Sequence, residues 1–549
     1  MKRVSKYFLV IIVASLAFLF GLPDAQTKTS AQSSVFFNIR DYGAKGDGKT
    51  LDTAAINKAI ETAASKGGGT VYFPAGTYLS FSIRLKSNIT IHLDNGATLL
   101  AADPAIHKGK YDMPEPNPWD MYQDFGHSHW QNSLMWGIGI ENFAIIGQGR
   151  IDGLGLSKRS PGPRRPRTEG ETPVSMANNV SPLGEMSDRK EMEGLGTKAI
   201  ALKLSKNITL KDFTIFRGGH FAVIATGVDN LTIDGLRVDT NRDGFDIDAC
   251  RNVRISNVYV NSPNDDAIVL KSSYALGFNR ATENVTITNS QVSGFDLGTM
   301  LDGTYQTKTE FAPDRDRVTG RIKFGTESNG GFKNITITNI NFVRCRGLAI
   351  ETVDGGYIED VVVSNITMRD ITTAPIFIRL GKRQRAPEGT PVAKVRRIII
   401  DNVTVSGAHH EYASIIAGLA ESPVEDVRLS NIRIHYNGGG TKADAERTIP
   451  ENEKNYPEPS MFGVTPAYGF YVRHARGITF DNVKVTYEKA EERPALFFDS
   501  VNGIDLFRID AQEPLSSSRF VLKNVENIAI FQSKGLSDQR IERAEMSRW

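Results

Sequence analysis

Residues 241–271, NRDGFDIDACRNVRISNVYVNSPNDDAIVLK, hold two acidic groups: Asp243 and Asp246 in NRDGFD, then Asp265 and Asp266 in SPNDDAI. Asp265 follows Asp243 by 22 residues, and the RNVRISNVYV between them alternates apolar and polar residues like two strands joined by a tight bend. In a chain that winds in coils of that length, Asp243 falls on one coil and Asp265 and Asp266 on the next. Stacked parallel strands lie about 4.8 Å apart, so the three carboxylates crowd into one patch. Such a patch can divide two tasks: a protonated carboxyl gives its proton to a leaving oxygen while an ionised one activates water. Hydrolysis of a glycosidic bond needs that division.

Positioning the patch requires the coil. An Asn followed by an alternating strand recurs along the chain, as NITIHL from Asn88, NITLKDFTI from Asn207, NLTIDGLRV from Asn230, NVRISNVYV from Asn252, NVTITNSQV from Asn284 and NITITNINF from Asn334. The closest copies lie 22 to 26 residues apart, with longer gaps where loops are inserted. Short β-branched strands at that period, with no helix between them, predict an all-β parallel β-helix. A leucine-rich repeat has a similar period, but it needs a leucine ladder, and these strands are rich in Ile, Val and Thr instead. Ahead of the repeats, LDTAAINKAIETAASKGGG predicts one amphipathic capping helix, with Asp52 or Thr53 as N-cap and a glycine stop at 67–69. Asn88, Asn207, Asn230, Asn284, Asn334, Asn365 and Asn402 all open Asn-x-Ser/Thr triplets. Singly these read as glycosylation acceptors; their recurrence at one phase of the coil favours a stacked bend residue.

The 549 residues can bury a large core, and a net charge of +2 is not the basic footprint of a nucleic-acid binder. Two cysteines, Cys250 and Cys345, supply neither a disulfide framework nor a zinc cluster. Lys2, Arg3 and Lys6 precede an apolar run over 7–22, which predicts a signal peptide within 1–31, cleaved between Ala25 and Ala31. Residues 32–549 then form one exported β-helical domain, periplasmic or secreted, with no other run able to span a membrane. Two insertions break the rhythm, at 112–131 and 153–197. Loops on a rigid solenoid shape a binding face, so Trp119, His127, His129 and Trp130 are candidate substrate contacts, the alternative being that they pack the loop. His127 and His129 lack further zinc ligands, so neither a metal nor a cofactor is expected.

NRDGFDI, the NDDAIVLK stretch, FGTESNGGFKNITITN at 324–339 and the entry NIRDYGAKGDGKTLDTAAINKAI together resemble the polygalacturonase-type glycoside hydrolases, glycoside hydrolase family 28, over about residues 37–500. The resemblance implies a single-stranded right-handed parallel β-helix that hydrolyses pectic polysaccharide with inversion. It implies Asp265 as general acid, with Asp243 and Asp266 activating the water. The family's Asn-Thr-Asp corresponds to Asn241-Arg242-Asp243, and its Gly-Asp-Asp to Asn264-Asp265-Asp266. Its Gly-His-Gly is missing, with Gly320 where the histidine belongs. Its Arg-Ile-Lys, which holds a galacturonate carboxylate, falls on Ala349-Ile350-Glu351, where a glutamate repels that group. A literal Arg321-Ile322-Lys323 stands one repeat early. Either Arg321 and Lys323, helped by Arg242 and Lys271, take a uronate from a new direction, or the sugar there is neutral. His220, Asp302 and Glu327 are further candidate substrate contacts. The rivals are a calcium-dependent pectate lyase, a non-catalytic glycan-binding β-helix and a hydrolase of another polysaccharide. The partner expected is an acidic polysaccharide or oligosaccharide.

Overall fold

A computed structural model describes residues 35–124, 126–157, 190, 192–308 and 317–549; the predicted export segment and most of the 153–197 insertion lie outside them. No helix among the described residues is long and apolar enough to cross a membrane. The chain winds as stacked coils whose strands pair in parallel with those of the coils before and after, making three sheets. In the first sheet, Lys206–Lys211, Asp229–Asp234 and Arg251–Ser256 lie side by side. Ile208, Leu231 and Val253 stack in one row there, and Leu210, Ile233 and Ile255 in the next. These rows belong to one continuous core, while the alternate side chains face outward. The period-2 pattern of the sequence is this inward–outward alternation.

The recurrent Asn sits at the bend entering the first sheet. Asn88, Asn142, Asn207, Asn230, Asn252, Asn284 and Asn334 all have φ between 54° and 60°, a left-handed conformation that Asn tolerates better than most residues. The Nδ2 of each one after Asn88 donates to Oδ1 of the Asn one coil earlier, at 2.7–3.2 Å. Stacking, rather than glycosylation, accounts for their spacing.

Helix α1, Thr53–Ser65, covers the N-terminal end of the core with Ile56, Ala59, Ile60 and Ala63. Asp52 takes the expected N-cap position, its carbonyl accepting from the Ile56 N–H, but its side chain makes no capping bond. The Asp52 carboxylate instead accepts the backbone N–H groups of Lys45 and Gly46, and the Thr53 hydroxyl accepts that of Phe81. Both side chains tie the helix to the first coils.

The third sheet matters most here. Its middle strands are β1, Ser133–Ile138; β2, Lys198–Lys203; β3, Phe221–Thr226; β4, Asp243–Asp248; β5, Ile268–Ser272; β6, Ile322–Ser328; and β7, Leu348–Thr352. Strands β3 to β7 are buried on both faces, although polar residues alternate with core residues along β4 to β7. Segments inserted between coils lie over the outer face and remove it from water.

Candidate active site

The acidic groups meet as the 22-residue spacing requires. Asp243 opens β4, while Asp265 and Asp266 stand in the turn before β5, whose register sets Phe245 against Ile268 and Asp246 against Val269. Oxygens of the Asp243, Asp265 and Asp266 carboxylates lie within 4.8 Å of one another, and all three residues are buried. The Asp266 N–H sits between two of them, 3.2 Å from Asp243 Oδ1 and 3.1 Å from Asp265 Oδ1. Arg242 Nη2 is 2.9 Å from Asp265 Oδ2, Arg321 Nε donates to Asp266 Oδ1 at 2.8 Å, and Lys323 Nζ is 3.7 Å from Asp266 Oδ2. Burial, reinforced by the charges of Asp265 and Asp246, pushes the Asp243 carboxyl well above the usual carboxylate range.

A second cluster adjoins the first. Asp246 Oδ2 is 3.2 Å from both Lys271 Nζ and His127 Nε2, and Lys271 also contacts His127. Glu327 lies 3.5 Å from Lys271 Nζ and 3.6 Å from His127 Nδ1, and Arg385 Nη2 is 3.2 Å from it. Glu327 reaches Lys271 through an irregularity in pairing. The register passes from Leu270 opposite Phe324 to Ser272 opposite Ser328, so β6 carries two extra residues there. Cationic side chains thus face both clusters and already supply the positive charge that a bound metal would bring to these carboxylates.

Several candidates have other places. Arg321 and Lys323, read as uronate ligands, are each 1% exposed and held by protein groups. The Arg321 guanidinium donates to both Glu458 oxygens, at 2.7 and 3.1 Å. Lys323 Nζ donates to Thr326 Oγ1 and Tyr456 Oη, each at 3.0 Å. They shape Asp266 rather than open onto a ligand. Asp302 ends a short helix, Thr299–Asp302, where it is exposed and bonded to Thr304. It borders a groove with Arg150, Arg237 and Tyr259 over the second sheet, away from the carboxylates, because its loop folds back onto that sheet. His220 precedes Phe221, which pairs with Asp243, so it does reach the site. Its backbone N–H bonds Thr197 O at 2.8 Å. Burial and the nearby Arg242 hold its imidazole well below its ordinary pKa, hence neutral.

Of the aromatic and histidine candidates in the 112–131 insertion, His127 alone enters the second cluster. His129 is held by Glu115 O and Asp120. Trp130 is buried, donates to Thr226 Oγ1 at 3.1 Å and carries Lys203 over its ring. Trp119 packs edge-on against Tyr274. Asp248 is not a turn residue but the last residue of β4, paired with Lys271, and its carboxylate accepts from Ser273 N and Oγ. The residues that sequence reasoning missed are Glu458 and Tyr456. They arrive from a later insertion with no repeat signal, and Glu458 is itself clamped by Arg346 at 2.6 Å. Glu351 stands where the resemblance puts a lysine, 3.6 Å from Lys323 and 4.0 Å from Arg321; burial pushes its carboxyl up to about 7.

Residues 36–220 match the family described as rhamnogalacturonase A/epimerase, pectate lyase-like. Residues 184–310 match the right-handed beta-helix region, and residues 323–453 match the glycosyl hydrolases family 28. A probable polygalacturonase of Vitis vinifera is 24% identical over 79% of this chain and 81% of its own. The exo-poly-alpha-D-galacturonosidase of Dickeya chrysanthemi is 28% identical over 70% of this chain and 64% of its own. The solved family 28 exopolygalacturonase of Yersinia enterocolitica superposes with a TM-score of 0.60 at 20% identity, covering 87% of this chain and 78% of that one. That likeness, with the matched helix region, makes the fold a right-handed parallel β-helix.

Proposed function

The chain is a polygalacturonase-type glycoside hydrolase of family 28, and from that premise we propose that it hydrolyses an acidic pectic polysaccharide by single-step inversion. The observation that carries this reading is the mutual approach of the Asp243, Asp265 and Asp266 carboxylates within 4.8 Å, on adjacent coils of one sheet. The Asp265 carboxyl gives its proton to the glycosidic oxygen as the bond from that oxygen to the anomeric carbon breaks. A water held by Asp243 and Asp266 forms the new bond on the opposite face and yields its proton to one of them. With two carboxylates, inversion needs a separation of about 6.5–9.5 Å, to admit a water between acid and base. Here a third carboxylate offers another arrangement, with the water seated on the Asp243–Asp266 pair.

A mixed substrate is favoured over plain galacturonan, on one observation. Glu351 occupies the place of the family's carboxylate-binding lysine, and Glu458 neutralises the neighbouring Arg321. With Arg321 and Lys323 buried and engaged by these carboxylates, neither cation is left there to clamp a uronate, which suits the alternating acidic and neutral units of rhamnogalacturonan. The apolar run over 7–22, behind Lys2, Arg3 and Lys6, supports export of the mature enzyme, and amino-terminal sequencing of the purified protein tests it.

Product analysis on polygalacturonate and on rhamnogalacturonan, with Asp265→Asn beside the native enzyme, tests the whole reading. The expected result is release of saturated reducing ends, first formed with inverted anomeric configuration by proton NMR. Asp265→Asn should be slower by about 10²- to 10⁴-fold. Unsaturated, ultraviolet-absorbing ends would mean elimination, and an unchanged Asp265→Asn would remove Asp265 from the chemistry.

A further inference from the structure

The ion pair between Arg242 and Asp265 sits oddly with a general acid. A guanidinium 2.9 Å from a carboxylate favours the ionised form, whereas an acid must hold a proton when substrate arrives. Asp266 is likewise paired, with Arg321. Asp243, by contrast, faces Asp265, Asp266 and Asp246, and burial with those charges favours its protonated form. The ion pair on Asp265 and the like charges around buried Asp243 thus favour placing the cluster's proton on Asp243, the residue that must act as base, over Asp265. The Asp266 N–H lies between the two, so Asp243 Oδ1 and Asp265 Oδ1 face a common donor.

We propose that a uronate carboxylate of the substrate draws the Arg242 guanidinium off Asp265 and thereby moves the proton from Asp243 to Asp265, switching the cluster from its resting to its working state. One proton changes carboxylates and none enters or leaves: Asp243 goes from acid to carboxylate and Asp265 from carboxylate to acid. Arg242 is suited to the task by position, buried in the same turn as Asp243 and paired with the group it must release. Arg321 and Lys323 are not, because Glu458, Glu351 and Tyr456 hold them. The charged and titratable groups facing the pair are His127 of the 112–131 insertion, His220 beside Phe221 on β3, Asp243 and Asp246 on β4, Asp266 before β5, Lys271 on β5, and Arg321 and Lys323 of β6 and its entry. The inference rests on Asp265 being the acid, and it makes Arg242 a residue that selects an acidic sugar at the point of cleavage.

The test compares pH profiles of kcat/KM and kcat on de-esterified pectic oligosaccharide. Activity falls on the alkaline side when the cluster loses its proton. With Arg242 moved onto the substrate, the cluster holds that proton more tightly, so the alkaline limb of kcat should lie about one pH unit above that of kcat/KM. In Arg242→Gln the kcat/KM limb should rise to meet the kcat limb. KM should increase by about 10- to 100-fold for the free-acid oligosaccharide and little for its methyl ester. Coincident limbs in the native enzyme would overturn the proposal without any variant, as would an Arg242→Gln whose KM ratio between acid and ester is unchanged. Arg242→Lys, which keeps the charge, should retain part of the gap. An active Asp265→Asn would instead sink the assignment of the acid, a separate failure.

Discussion

Asp243 is held at odds with its own charge. It is buried, and Asp265, Asp246 and Asp266 surround it with charge of the same sign. A carboxyl whose folded-state pKa is raised binds its proton more tightly folded than unfolded. Its ionisation therefore subtracts stability as pH rises from the ordinary carboxylate range through the raised folded value. Asp243→Asn removes the group from that balance. The variant should be more stable than the native enzyme near pH 7.5, by about 1–2 kcal/mol. The gain should vanish near about pH 3, where Asp243 is protonated whether folded or not. Activity should fall by at least about a hundredfold. Thermal melts at the two pH values check it, and an equal or negative difference at the higher pH would contradict the placement of the strain. The three carboxylates were legible in the sequence because the coil period itself carries them: one turn of the solenoid is 23 residues here, Phe245 to Ile268, so Asp265 and Asp266, 22 and 23 residues after Asp243, come round beside it.

The elements that cover the site obey no such period, and their contribution was mostly hidden. His127 could be named as polar and loop-borne, but nothing in its spacing says that it lands between Asp246 and Glu327. Glu458 and Tyr456 come to Arg321 and Lys323 from 137 and 133 residues further along the chain. Position in an insertion is set by where the loop folds, which alternation and coil length do not encode. Asp302 failed for the same reason, since its short helix packs on the second sheet. His127 makes the insertion part of the site: its ring bridges Asp246 on β4 and Glu327 on β6, beside Lys271 on β5. His127→Gln leaves two buried carboxylates with less compensating charge, at a cost of about 2–4 kcal/mol. The loss should appear first in the insertion. Hydrogen exchange at 112–131 should quicken while the strands 206–211 and 229–234 keep their protection. Uniform quickening along the solenoid would mean that His127 supports the whole fold rather than the covering loop.

At the scale of the whole molecule, a solenoid's hazard is its two ends, because each coil contacts only its neighbours and the last offers an unpaired edge. At the start, α1 lies across the core. At the other end, Gln539–Arg548 pairs antiparallel with Phe520–Phe531, against the parallel rule of the coils before it. That last strand is mostly exposed and carries Arg540, Glu542, Arg543, Glu545 and Arg548. It thus takes up the hydrogen bonds of an apolar-faced strand and presents a charged edge in its place. Removal of residues 537–549 should uncover the 520–531 ladder without touching the carboxylates, which lie on coils far down the stack. The truncated enzyme should therefore retain kcat per folded molecule while associating into larger species, read by light scattering across a concentration series. Because stability in a stacked array is close to a sum over neighbours, the lost pairing should lower the melting transition by only a few degrees, about 1–3 kcal/mol. A truncated chain that scatters like the full-length enzyme at every concentration would show that the charged strand does not guard the edge. One that loses kcat in the folded fraction would show that the ends and the site are coupled through the whole stack.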